Sequence, residues 1–306
     1  MLRVTQIHGG VLVPMKAGNN AKKSPAQGAE KKFSLIPDAK LLAMYVAMQQ
    51  CRMLAEHFRA LPRKDRSPQA KLHRGHEAML AALTTDLTTD DALSLASEEA
   101  AAGILKGLPL AAILRKNKKK KAIKSQTSDH VTRSFEGLLP SAASTAAQLH
   151  MACGVALAWK ARVPGKVVAV FCSGADAPAS SWQDVLTLAS DHQLPLVLMT
   201  HEPDDRPSQF DAMAKNALVH GVPMLTVDGR DAVAVYRVVF ESLVRARQGR
   251  GATLIVCRTD LKGHGQPRDP LRRMEAYLMR KGLYPSAQWQ QAMRAFQKRL
   301  SPAARR

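Results

Sequence analysis

Aromatic residues make up only 5% of this 306-residue chain, and cysteine occupies four positions, Cys51, Cys153, Cys172 and Cys257. The cysteines are far apart, form no C-x-x-C pair and lie in apolar stretches. That excludes a disulfide framework and a thiolate zinc site, and reads as buried thiols in a reducing, cytoplasmic setting. No apolar run reaches 18 residues, since a polar or charged side chain interrupts each one, so a helical membrane span is excluded. Acids are scarce as well, 25 against 45 Lys and Arg, for a net charge of +20.

Seventeen of those twenty charges sit in residues 1–33, 115–124 and 294–306, which leaves the body of the chain nearly balanced. The run at 115–124 (RKNKKKKAIK) holds seven basic residues and no acid. With no aromatics interleaved, it lacks the stacking platform of single-strand binders, so a solvated basic loop is the simpler reading than a nucleic-acid surface. Residues 1–36 read as a flexible basic tail, too polar to offset their ordering entropy. They show neither a small-residue cleavage pattern nor an Arg-rich transit composition. Residues 301–306 form a second basic tail, and 37–300 a single domain containing a mobile basic loop at 115–133.

Several catalytic signatures are absent. The turn CSGADAPASS matches neither G-x-G-x-x-G nor a phosphate-binding G-x-x-x-x-G-K-[ST], and Phe171 and Ala175 stand where G-x-S-x-G around Ser173 requires glycine. His76-Glu77 opens an H-E-x-x-H, but Leu80 replaces the second histidine. His76 and His150 are therefore read as structural.

What is present is a change of period. Leu41, Tyr45, Met48, Leu54 and Phe58 recur at helical spacing after Pro37-Asp38, predicting a helix to about Leu61. A second helix is predicted from about Gly75, and a third from the capping residues Thr88 to Asp91 through Lys106. From Val167 onward, VVAVFC, LPLVLMT, VPMLTV and ATLIVC are short and apolar throughout, as strands covered on both faces are. The segments between them (181–192, 208–220, 231–247) are long enough to cross over, so the pattern βαβαβαβ predicts a parallel sheet. The expected fold is α/β, a parallel sheet with helices on both faces and a helical amino-terminal layer.

Three blocks carry a family resemblance: Gly75-His76-Glu77-Ala78 followed by Leu87-x-x-Asp90-Asp91, then Val227-Asp228-Gly229-Arg230-Asp231-Ala232-Val233-Ala234-Val235-Tyr236, then Gly263-His264-Gly265 before Arg268-Asp269-Pro270. Over roughly residues 38–300 the chain resembles the alpha subunit of the thiamine-diphosphate-dependent dehydrogenase component of 2-oxoacid dehydrogenase complexes. In that family the first block reads G-Q-E-A, the second V-D-G-x-D-x-x-A-V-Y and the third G-H-S-x-S-D-D. The resemblance implies a thiamine-diphosphate-binding fold, thiamine diphosphate with Mg²⁺ as cofactors, and assembly with a beta-type subunit and a lipoyl acyltransferase. A homodimer is the alternative assembly.

The cofactor motifs depart from the family. Its G-D-G and N-N supply oxygen ligands to the metal, and Ser173-Gly174-Ala175 and Glu202-Pro203 stand in their place. Its two Tyr-Arg pairs on the phosphates align with Ser97-Glu98 and Thr259-Asp260. A carboxylate about 4 Å from a phosphate oxygen is repelled by about 4 kcal/mol at an effective dielectric of 20. The expectation is thus a non-catalytic or scaffold subunit with weakened cofactor binding. One rival is an active oxidoreductase that transfers the product of a 2-oxo acid to a lipoamide disulfide, with Asp176 and Glu202 as a shifted Mg²⁺ site and His264 as the catalytic histidine. Another is a basic module for nucleic acid or an acidic partner.

Overall fold

The computed structural model describes residues 36–62, 71–114, 137–202, 210–259, 268–283 and 287–300. The expected basic loop, both charged tails except Ile36, and the candidate site residues Asp260 and His264 lie outside the described residues. Ile36, counted with the tail in the sequence reading, is buried in the core.

Helix α1 (Asp38–Ala60) buries Leu41, Met44, Met48, Cys51, Leu54 and Phe58, the stripe that the spacing predicts. Helix α2 (Glu77–Thr84) is buried along its whole length. The expected third helix is a correction. Residues Ala92–Leu95 form strand β1, and Ser97–Lys106 form a 3₁₀ segment that ends at Gly107 with φ 98°. Ala and Leu favour helix locally, but pairing of β1 with the next strand, Ala92 opposite Val168 through Leu95 opposite Phe171, overrides that preference.

After the short α3 (Leu110–Ile113), α4 (Thr145–Arg162) starts at Ser144, whose hydroxyl accepts from the Ala147 amide at 3.2 Å. Then follow β2 (Val168–Ser173), α5 (Ala179–Asp191), β3 (Leu196–Glu202), α6 (Phe210–Val219), β4 (Met224–Asp228), α7 (Ala232–Arg247) and β5 (Thr253–Arg258). Helices α8 (Pro270–Arg280) and α9 (Ala287–Leu300) complete the described chain. The strands pair in parallel in the order β1-β2-β3-β5-β4.

Alternate strand residues feed two cores. Ala169, Phe171, Val197, Met199, Ile255 and Cys257 join α1, α2, α7 and α8 on one face. Val168, Val170, Leu196, Leu198, Leu254 and Val256 join α4, α5 and α6 on the other. All four cysteines are buried and free, and burial pushes the Cys153 and Cys172 thiols up to about 12. Among the described residues no helix is long and apolar enough to cross a membrane.

The Val227 to Tyr236 block has physical work at almost every position. A Cβ on Gly229 would stand 2.9 Å from the Met79 sulfur and 3.1 Å from Cys257 Cβ, so a side chain there would force Met79 of α2 or Cys257 of β5 to shift. Asp228 and Asp231 clamp Arg273 of α8 at 2.6 and 2.8 Å, and Asp231 also caps α7. The Tyr236 hydroxyl donates to Asp86 at 2.7 Å.

Asp91 does the corresponding work at the other edge of the sheet. It is 1% exposed and accepts from Thr88 N and Oγ1, from Val167 N at 2.9 Å and from the Arg247 guanidinium at 2.5 Å. It joins the starts of β1 and β2 to the end of α7. Asp91→Ala strands the Arg247 charge and two backbone amides, so it should destabilise the fold by about 3–5 kcal/mol. Denaturant unfolding of the two proteins measures this directly.

Candidate functional site

Parallel open sheets bind ligands beyond the carboxyl ends of their strands. Here that edge opens into a cleft of about 510 Å³. Its floor is Ser173 from the end of β2, His201 and Glu202 from β3, and Thr259 beyond β5. Its walls are Glu98 and Glu99 in the 3₁₀ segment, the turn His73 to His76, Arg230 after β4, and Arg268 before α8.

The turn is held by a buried carboxylate. Glu77 is fully buried; its Oε2 accepts the Gly75 amide at 2.8 Å and its Oε1 accepts Arg52 Nε at 2.5 Å. Arg52 also donates twice to Asp269, at 2.9 and 3.3 Å, tying α1 to the cap of α8. Gly75 takes φ 106°, in the left-handed region where a side chain would be strained. With the turn so placed, both its histidines face Glu99.

Glu99 is buried, and its Oε1 lies 2.7 Å from His73 Nδ1 and 2.8 Å from His76 Nδ1. Burial works to raise its pKa, but the two imidazole hydrogen bonds outweigh it and hold the carboxyl below its usual range. An ionised carboxylate can only accept, so both Nδ1 atoms carry a proton. The hydrogen bond to Glu99 correspondingly raises His73 above its ordinary 6.5. The His76 ring lies 4.2 Å, centre to centre, from His201, which stacks on Phe171.

Of the residues singled out from the sequence, Glu98, Ser173, Asp176 and Glu202 line this one cleft. Ser97 stands beside it, its hydroxyl donating to Glu98 at 2.8 Å. Gly174 is buried below the floor and Ala175 is half-buried next to it. Neither lines the cleft. Asp176 and Glu202, the displaced metal pair of the sequence reading, share the cleft, and among the described residues the one group of three or more His, Cys, Asp or Glu side chains placed to hold an ion is His73, His76 and Glu99. His76, read from the sequence as structural, lines the cleft and bonds to Glu99. His150 lies outside the cleft, half-exposed on α4, where its Nδ1 donates to the Ala146 carbonyl at 2.7 Å. His73, Glu99 and His201 were not anticipated at all. The available signal was His73-x-x-His76, two imidazoles flanking a glycine turn.

Residues 45–264 match the dehydrogenase E1 component family. This chain belongs to that family. Among relatives, it is 30% identical over 137 residues to the alpha subunit of acetoin:2,6-dichlorophenolindophenol oxidoreductase from Bacillus subtilis, covering 42% of this chain and 41% of that one. It is 26% identical over 229 residues to the subunit of the same name from Cupriavidus necator, covering 71% and 69%. A pyruvate dehydrogenase E1 component subunit alpha from Staphylococcus aureus is 26% identical over 164 residues, 45% and 44% of the two chains. The match thus spans about two-fifths of the length of the first and third of these relatives. A transketolase mutant from Pichia stipitis with fructose 6-phosphate superposes at a TM-score of 0.48 and 15% identity, over 84% of this chain and 45% of that one. The alpha-subunit resemblance read from the sequence therefore stands on the family match and these relatives.

The His73–Glu99 pair sets a pH dependence. A raised histidine stabilises fully below 6.5, and that contribution is lost as pH rises through its folded-state value. A lowered glutamate stabilises above 4.5, and that contribution is lost as pH falls through its folded-state value. The contribution of the pair should therefore be greatest between 4.5 and 6.5. In an NMR titration the His73 ring should titrate above 6.5 and fall back toward it in Glu99→Gln.

Proposed function

We propose that this E1-family chain is a non-catalytic or scaffold subunit, whose cleft does not hold thiamine diphosphate and Mg²⁺ in the manner of the family. The observation that carries this reading lies at Gly174, aligned with the family's metal-binding aspartate. A Cβ at that position would stand 3.1 Å from Met213 Cε and 3.1 Å from Thr200 Oγ1. A side chain there requires the Met213 methyl of α6 and the Thr200 hydroxyl to give by a few tenths of an ångström. Glu98 on the cleft wall adds a negative charge where the family places a cation. The residues present do not fit the cofactor, and no catalytic step through it is assigned.

The natural partner is a beta-type dehydrogenase subunit, with a second copy of this chain and a lipoyl acyltransferase as further candidates, in a reducing compartment such as the cytoplasm. The rival reading is a working enzyme with Mg²⁺ between Asp176 and Glu202, hard oxygen donors of the kind that ion prefers. It draws support from both carboxylates facing the same cleft.

Calorimetry separates the two. Thiamine diphosphate with Mg²⁺ should bind the full chain no better than about millimolar, with or without a beta-type partner, and stabilise it by only about 0.4 kcal/mol when ligand equals Kd. Gly174→Asp should restore nothing and should itself destabilise by about 1–3 kcal/mol, the usual cost of overpacking. Micromolar binding that disappears in Asp176→Ala or Glu202→Ala would overturn the non-catalytic reading in favour of the displaced metal site.

A further inference from the structure

We infer that His73, His76 and Glu99 form a divalent transition-metal site of zinc type, open to the cleft. One ligand atom from each residue lies within 4.8 Å of those of the other two. The ligands are two imidazole nitrogens and one carboxylate oxygen, a donor set that suits Zn²⁺ and its neighbours and that Mg²⁺, which prefers oxygen, does not favour. Three protein ligands with a fourth position left open is the arrangement of zinc sites that bind an exchangeable water or substrate group.

The geometry is close to what the metal needs. At zinc–ligand distances of about 2.0–2.1 Å, tetrahedral ligands stand about 3.3 Å apart. The two imidazole nitrogens are now 2.7 and 2.8 Å from Glu99 Oε1, drawn together by their hydrogen bonds. Exchanging those protons for one cation requires the group to open by about half an ångström. His73 has the freedom to do this, because its side chain is 58% exposed on the cleft wall while that of Glu99 is 2% exposed.

Charge favours the exchange as well. Glu99 is a buried carboxylate that accepts from the two imidazoles and, at 3.4 Å, from the His73 amide. Burying a carboxylate is costly unless a counterion stands beside it. A divalent ion supplies that counterion. The orienting contacts are already in place: Glu77 fixes the turn that carries both histidines, and the rings of Phe171 and His201 pack against His76.

None of Gly174, Asp176 or Glu202 enters this site, so it stands apart from the cofactor reading and fails separately from it. The test is a Zn²⁺ titration of the chelator-treated full chain by calorimetry, paired with the visible absorption of the Co²⁺-substituted protein. One equivalent should bind, with the intense bands of four-coordinate cobalt. His73→Ala, at an exposed position that does not endanger the fold, should weaken Zn²⁺ by more than about a hundredfold, beyond the 10–100-fold typical of losing a mere outer-shell partner. It should also abolish the cobalt bands, as should His76→Gln. His150→Ala, on α4 and half-exposed, should change neither. Absence of stoichiometric binding would overturn the proposal. So would affinity and spectrum that survive His73→Ala, or that are lost in His150→Ala.

Discussion

A carboxylate with no access to solvent organises the functional edge of this protein. Glu77 receives Arg52 from α1 and the Gly75 amide from the turn ahead of α2, and Arg52 reaches on to Asp269 at the start of α8. A buried charge survives only when every part of it is paired. The pairing therefore dictates where three helices start or cross, and with them the direction of the turn from His73 to His76. Glu77 thereby anchors the turn from below, while the Lys71 carbonyl, which accepts the Ala101 amide, and the two imidazoles on Glu99 tie it to the 3₁₀ segment.

The sheet supplies the other half of the site. Five parallel strands bring their carboxyl ends to one edge, so residues far apart in the chain, from Glu98 to Arg268, share a cleft. Within that inherited frame the polar groups are mixed in sign: Arg74, Arg230 and Arg268 stand with Glu98, Glu99, Asp176 and Glu202 and three histidines. At the floor Met213 packs on Gly174, and on the wall His73, His76 and Glu99 stand together.

Much of the frame was legible from local pattern. The four strands follow from short runs of continuous apolarity, and the stripe of α1 from a period of 3.6 residues, signals that depend only on near neighbours. The Val227 to Tyr236 block was recognisable as a motif, and the structure adds the reasons: Gly229 lies against Met79, and Asp228 and Asp231 hold Arg273. Strand β1 was not legible, since Ala92 to Leu95 carries residues that favour helix and becomes a strand only through its partner β2.

The sequence by itself determined the layered α/β class, the buried thiols and the family, because each is a property of residues taken singly or in short windows. Only the tertiary structure decided that Met213 fills the space beside Gly174, and that His73 and His76 meet a glutamate more than twenty residues away. Those contacts arise from how helices seat on a sheet. Their separation along the chain is set by loop closure and packing, and no periodicity records it.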